Sequence, residues 1–371
     1  MGSDTMMKAA RFHAAKDVRI DEIPIPKTKP GYVRIKPEYC GICGSDLHEY
    51  EDGPHIIPQP GTKHPLTGEG PPVVLGHEFS GVIDEIGTGV AGLKKGQRAA
   101  IQPIIFDEDC LNCGQGLPNC CAQFGFIGLS GGAGGMSEYA CVPASAVKPL
   151  PDDFPLDIGA LVEPLAVGWH AVAVSPYKDG DSVLVLGGGP IGLAVVFALC
   201  GKGCQNIIVS EVSRQRRTFA KEFGAHHVID PSSQDAVSEV KKLTKGYGAD
   251  VGFDAAGVQV AVDYAIKAVR ARGTLVNIAL WGAKRVALDM MDMLFGERKY
   301  QAVVTYTAGD FEAVIDAIAT GKLQPKGMIT KVLAVDQVDE GFKALVEDKD
   351  NQVKILVHVG KLREAAANGT M

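Results

Sequence analysis

The chain has 371 residues, a length that suits about two domains. With 46% hydrophobic and 22% charged residues it is composed like a folded globular protein, which excludes an intrinsically disordered chain. Lysine and arginine total 37 against 44 aspartates and glutamates, a net charge of −7 with no long basic run, so nucleic acid is a poor partner.

No apolar run is long enough for a membrane helix, and Met1 to Lys8 carry no apolar leader core. Nine cysteines, an odd number, point to a reducing compartment where thiols serve metals or chemistry rather than disulfides. The expected location is the cytoplasm. Up to about residue 150 the chain reads as β-rich, with short strands such as 32–37 and 82–86 between Gly/Pro turns. Residues 52–72 are too rich in proline and glycine for anything but an irregular loop. From Leu161 onward strands and helices alternate. Strands are predicted at 183–186, 207–210, 228–229, 251–254 and 274–278, with helices at 191–200 and 214–223, so βαβ units and a parallel sheet are expected. After Thr305 come a helix at 311–320, a strand at 329–334, a helix at 338–347 and a strand at 354–359, read as a return to the first domain. The segment after Gly360 is Ala-rich and left unassigned.

Three groups of residues carry chemistry. The first is Gly187-Gly-Gly189-Pro190-Ile191-Gly192, a G-x-G-x-x-G turn between an apolar strand and an apolar helix. Gly187 allows the tight turn, Gly189 lets the backbone approach a pyrophosphate, and Gly192 packs helix on strand. The helix N-terminus then offers free N–H groups to the phosphates. Glu211, 19 residues beyond Gly192 at the end of the next strand, is placed to accept hydrogen bonds from a ribose. A carboxylate there repels a 2′-phosphate, so NAD is expected rather than NADP. Arg214, Arg216 and Arg217 are the residues that could hold such a phosphate instead.

The second group is Cys40-Gly-Ile-Cys43-Gly-Ser45-Asp46-Leu-His48, then Gly76-His77-Glu78, then Glu163-Pro164. A thiolate, an imidazole and a carboxylate drawn from separate segments suit a catalytic zinc with one open position. Taken singly, the cysteines read as well as packed thiols and His77 as a core histidine; the joint pattern carries the metal reading. The third group is Cys110-x2-Cys113-x7-Cys121, with Asp107 three residues before Cys110. Regular x2 spacing on a short loop is what a structural tetrahedral zinc needs, and Asp107 stands where a fourth cysteine is expected. A loop that keeps free thiols without metal is the alternative.

In this order, the three groups resemble the zinc-containing medium-chain dehydrogenase/reductase superfamily, over roughly residues 8–360. Glu163-Pro-Leu resembles its sorbitol and butanediol dehydrogenase branch, as do the insertion 52–69 and the segment 119–131. The resemblance implies an α/β protein: a GroES-like, β-rich catalytic domain (1–164 and, on its return, 306–371) and a Rossmann domain with a doubly wound parallel sheet (165–305), cofactor and zinc lying in a cleft. It implies Cys43, His77 and Glu163 as ligands of a catalytic zinc, with Glu78 a catalytic residue near the metal, an occasional ligand or a group just behind the ligands. Ser45 and His48 match proton-relay positions. Asp107, Cys110, Cys113 and Cys121 match a structural zinc lobe that normally has four cysteines, so Asp107 is a departure. Cys40 has no ligand role in the family, and Asp46 is expected to be a structural hydrogen-bonding residue. His55 and His64 are candidates for the substrate mouth.

The implied activity is zinc-dependent, NAD-linked, reversible oxidation of a secondary alcohol or vicinal diol to a ketone. The substrate implied is (R,R)-2,3-butanediol, giving acetoin. Sorbitol or another polyol and L-threonine are alternatives, and a non-catalytic dinucleotide-binding or structural protein on the same fold is an alternative of another class. The family suggests a homodimer or homotetramer. Residues 278–293, with Trp281 and three methionines, are candidates for its interface, ordinary core being the other reading.

Overall fold

The computed structural model describes residues 6–281 and 285–360. They are organised around separate sheets in two units. The first unit is drawn from Met1–Glu163, Thr307–Ile315 and Met328–Met371, the second from Pro164–Tyr306 and Asp316–Gly327.

The first unit is β-rich. Tyr32–Gly41 largely alternates buried and half-buried residues, the period of a strand with one face inward. It sits inside a seven-stranded sheet, in the order Val147–Pro149, Arg98–Ile101, Glu78–Ile86, Tyr32–Gly41, Lys354–His358, Ile329–Ala334; Ala140–Pro143 also pairs with Tyr32–Gly41. The last strand lies antiparallel to it, Leu356 opposite Gly41 and Val357 opposite Cys40. The C-terminal residues thus return to the first domain, beside the Cys40–Cys43 segment. Residues 53–72 form no regular element apart from the start of the irregular approach to Val73–Val74.

The second unit is a six-stranded parallel sheet: His227–Ile229, Ile207–Ser210, Val183–Leu186, Ala249–Asp254, Val269–Asn277, Lys299–Ala302. The chain starts in the middle, winds to one edge, then crosses back to build the other. Leu184, Leu186, Ile208 and Leu275 from the strands meet Val240, Val262 and Ile266 from helices Ala236–Leu243 and Gln259–Ala268 in one dry core. Strand order reverses between Val183–Leu186 and Ala249–Asp254, and a doubly wound sheet binds its ligand at the carboxyl ends of such a pair.

The expected return segment 306–371 is interrupted. Asp316–Gly327 belongs with the second unit, where Leu323 lies against Gly201 and Phe223 against Gly327. Local pattern cannot foresee such long-range packing. Helices Gly44–Asp52 and Val162–Val174 are absent from the sequence reading, as are Ala236–Leu243, Gln259–Ala268 and Met290–Gly296 in the second unit. The first is short and polar. The second is buried on nearly every side, so it has no amphipathic period to read. The Ala-rich segment and residues 282–284 of the candidate interface lie outside the described residues.

Candidate active site

Helix Gly44–Asp52 begins at Cys43, and the Cys43 N–H donates to Asp46 Oδ2 at 3.0 Å. This backward hydrogen bond satisfies a donor that the helix start leaves orphaned. It also sets Cys43 at the tip of the helix. His77 arrives from another direction, just before strand Glu78–Ile86. Gly76 turns the chain there at φ +98°, and a Cβ on it would lie 2.5 Å from Cys40 Sγ. Cys40 is thus a packed thiol that lets the turn come close, as expected.

The ligand atoms of Cys43, His77 and Glu78 lie within 4.8 Å of one another. Ser45 Oγ is 3.1 Å from His77 Nε2. On the other side of the ring His77 Nδ1 is 3.4 Å from Asp46 Oδ1, and both buried atoms lack a hydrogen-bond partner. Burial disfavours a proton on His77, but Asp46 and Cys43 outweigh it and hold its pKa well above the ordinary histidine value. The pocket therefore calls for positive charge. A thiolate, an imidazole braced by a carboxylate and an adjacent carboxylate form a donor set that suits zinc.

Glu163 does not belong to the compact trio of Cys43, His77 and Glu78. It is buried at 5% exposure, and its charge, with those of Glu78 and Cys43, acts on Lys354. Lys354 is the functional-site residue that sequence reasoning missed. Its ammonium lies 2.7 Å from both oxygens of Glu78, with 2% and 0% of the two side chains exposed. The only signal for it was a lysine opening an otherwise apolar strand. His48, one turn beyond Ser45 on the same helix, is exposed.

The third group also assembles: ligand atoms of Asp107, Cys110, Cys113 and Cys121 lie within 4.8 Å of one another. Asp107 Oδ1 accepts the N–H groups of Cys110 (3.0 Å) and Asp109 (3.1 Å), which fixes the carboxylate inside the thiol cluster. The Cys110 amide leads in lowering the Asp107 pKa to about 2. Three thiols and an ionised carboxylate around one point suit a tetrahedral zinc.

The insertion and the segment 119–131 dock on each other. His64 Nε2 lies 3.3 Å from the Phe124 carbonyl and Thr67 Oγ1 donates to the Ser130 carbonyl at 2.7 Å. Phe124 meets Phe126 edge-on, and Phe126 packs against His77 with 5.6 Å between ring centroids. Both His64 ring nitrogens are engaged, since Nδ1 accepts the Leu66 N–H. His64 is thus a brace, and His55 is an exposed partner of Asp52.

In the second unit, Gly187 turns at φ +90° and Gly189 caps helix Pro190–Gly201, with Pro190 at its first position and Ile191 next, half-buried. A Cβ on Gly192 would lie 1.9 Å from the Gly187 carbonyl oxygen, so only glycine lets helix and strand pack there. Glu211 accepts the N–H groups of Gly188 (2.7 Å) and Ser213 (2.8 Å), tying the glycine turn to the next strand. A carboxylate has about four acceptor positions, so capacity for ribose hydroxyls remains. Arg217 is spent on Asp230 and the carbonyls of Glu211 and Val212, and Arg216 packs beside the glycine turn.

Comparison with known proteins agrees with this architecture. Residues 190–320 match the zinc-binding dehydrogenase family, and residues 29–152 match the alcohol dehydrogenase GroES-like domain. The (R,R)-butanediol dehydrogenase of Bacillus subtilis (strain 168) is 43% identical over 353 residues, covering 95% of this chain and 99% of that protein. A protein of the same name from Neisseria gonorrhoeae is 40% identical over 355 residues, with the same coverage. The crystal structure of 2R,3R-butanediol dehydrogenase from Bacillus subtilis matches with a TM-score of 0.89 at 42% identity, over 95% of this chain and 99% of that one. With a cysteine–histidine–acid centre in a GroES-like unit and a glycine turn on a doubly wound sheet, the chain belongs to the zinc-binding alcohol dehydrogenases of the medium-chain dehydrogenase/reductase superfamily.

Proposed function

We propose that the protein oxidises a vicinal diol to a hydroxyketone reversibly, with (R,R)-2,3-butanediol and acetoin as the pair and NAD as the hydride acceptor. The observation that carries the reaction class is the group of half-buried Cys43 with buried His77 and Glu78, Ser45 lying on the His77 ring. The choice of diol is supported by the 43% identical relative and by the docked insertion that resembles its branch.

Cys43, His77 and Glu163 would hold the catalytic zinc, and Asp107, Cys110, Cys113 and Cys121 a structural one. When bound, zinc supplies Lewis acidity toward the alcohol oxygen, and NAD supplies the hydride acceptor. Ser45 is placed to take the alcohol proton as it passes its own onward. His48, three residues later on the same helix, faces solvent and is the relay's outlet. Asp46 holds the His77 ring in place. Gly187, Gly189, Pro190, Ile191 and Gly192 would cradle the pyrophosphate, and Glu211 the adenosine ribose.

A homodimer or homotetramer in the cytoplasm is part of the same proposal. In residues 278–293, Trp281 and Met293 pack inward, while Leu280, Met290 and Met291 are exposed, as are the adjoining Leu294 and Phe295. Such a cluster of exposed apolar side chains suits a contact between copies.

The test is NADH formation with (R,R)-2,3-butanediol, sorbitol and L-threonine, before and after chelation. Chelator-sensitive turnover favouring the butanediol is expected. Turnover on sorbitol or threonine alone would keep zinc and NAD and discard the diol.

A further inference from the structure

The insertion is anchored at its start, and two of its side chains farther along converge on Phe126. At the start Glu49, on the helix that begins at Cys43, accepts the N–H groups of His55, Ile56 and Ile57. Farther along, buried His64 accepts the Leu66 N–H at Nδ1, so Nε2 carries the ring proton and faces the Phe124 carbonyl. The same nitrogen lies 2.6 Å from where a Cβ on Gly125 would stand, so glycine is what admits the ring there. Thr67 Oγ1 donates to the Ser130 carbonyl. Ser130 in turn accepts the Phe126 N–H on its Oγ at 3.1 Å and donates its own N–H to the Phe126 carbonyl at 2.7 Å. Phe126 is thus gripped through Gly125 and through Ser130. On its far edge it has a two-residue ladder with Ile104–Ile105, too short to fix it alone. The buried Phe126 ring lies on His77, with Phe124 edge-on to it. A ring in contact with a metal-ligating imidazole is an apolar wall beside the proposed alcohol position. Such a wall suits a carbinol flanked by methyl groups, and a tightly packed one resists each added methylene.

We infer that His64 and Thr67 are positioning residues that hold Phe126 in place, and that the insertion thereby limits the alcohol to short-chain vicinal diols. The inference rests on the proposed oxidation of vicinal diols. Its test compares two substrates that differ by one methylene at each end, (R,R)-2,3-butanediol and (R,R)-3,4-hexanediol, each assayed as NADH formation by the full-length protein. The ratio of their kcat/KM values does not depend on how much of the protein is folded or loaded with metal.

The wild type should prefer the butanediol by about tenfold or more. In His64→Ala the wall can yield, so the preference should fall about tenfold, through a higher KM for the butanediol and a lower one for the hexanediol. His64→Gln keeps a donor for the Phe124 carbonyl and should restore much of the preference. Thr67→Val loosens the second grip and should lower the preference as well; it carries the test should His64→Ala fail to fold. Zinc content should match the wild type in each variant, and zinc lost from His64→Ala would assign the brace to the metal instead and overturn the inference. A purely structural role would lower turnover on both diols in proportion. An unchanged ratio in the folded variants therefore overturns the inference, as does a wild type without the preference. A wild type that oxidises neither diol overturns the proposed reaction, and this inference with it.

Discussion

Two buried aspartates show how position decides what a carboxylate does. Asp46 spends Oδ2 on the Cys43 N–H and turns Oδ1 toward His77. Partners behind a metal-bound histidine set its orientation and basicity, so Asp46→Asn should cost about 10- to 100-fold in zinc affinity, measured by chelator competition. Asp254 is fully buried at the end of a sheet strand. Its Oδ1 accepts the Ala256 and Gly257 N–H groups, and its Oδ2 has no donor. Burial raises its pKa above the ordinary carboxylate value, against the pull of the two amides. A carboxyl with a raised folded-state pKa favours folding only as it becomes protonated. Its cost is therefore full at neutral pH and shrinks as pH falls through the folded value toward the unfolded one. Asp254→Asn keeps the accepting oxygen and replaces an unpaired charge with a cheaper unpaired amide. It should raise the melting temperature at neutral pH and lose that advantage near about pH 4. Thermal melts at the two pH values decide it, and an equal gain at both would contradict the account.

At the scale of elements, legibility followed the strength of local pattern. Val183–Leu186, Ile207–Ser210, Ile329–Ala334 and helix Val338–Glu347 lie where hydrophobic runs and turn residues predict them. Cys43, His77 and the Asp107–Cys121 loop were legible because few other chemistries use those residues at those spacings. Helix Gly44–Asp52 was not, because its stability comes from Asp46, Glu49 and Tyr50, polar residues buried by tertiary contacts. Lys354 was not, because its partner Glu78 lies 276 residues away in sequence. The insertion was legible as a loop and as a likeness to one branch of the family, but its anchoring was not. Glu49, at 1% exposure, anchors it by accepting the N–H groups of His55, Ile56 and Ile57. It ends against the strained stretch Gly131-Gly132-Ala133, where Ala133 has φ +118°. That conformation is open to glycine and costly to a residue with a Cβ. Ala133→Gly should therefore stabilise the protein by about 1 kcal/mol despite the added freedom of the unfolded chain. Thr67→Val removes the donor to the Ser130 carbonyl and should destabilise by about 1 kcal/mol. Denaturant unfolding measures both, and a destabilised Ala133→Gly would show that the loop is not strained there.

Across the whole molecule, the two units divide the chemistry. Every candidate metal ligand lies in the first unit, and the glycine turn with Glu211 lies in the second. Each unit has its own sheet, so damage to one site should leave the other standing. Gly192 offers the sharpest case. A Cβ there would sit 1.9 Å from the Gly187 carbonyl oxygen, an atom held by the strand that starts the turn. The helix must move away from the strand, and the backbone that approaches the pyrophosphate moves with it. Gly192→Ala should weaken NADH binding by about tenfold or more, or about 1.4 kcal/mol, in a fluorescence titration. Its zinc content should equal that of the wild type, because the residues a Cβ on Gly192 would meet, Gly187 and Ala255, belong to the second unit and hold no metal ligand. Loss of zinc together with NADH affinity would mean that the second unit's core sustains the metal centres, and the division of labour would be wrong. Zinc retained with cofactor binding lost would support the separation of a metal-holding unit from a dinucleotide-holding one.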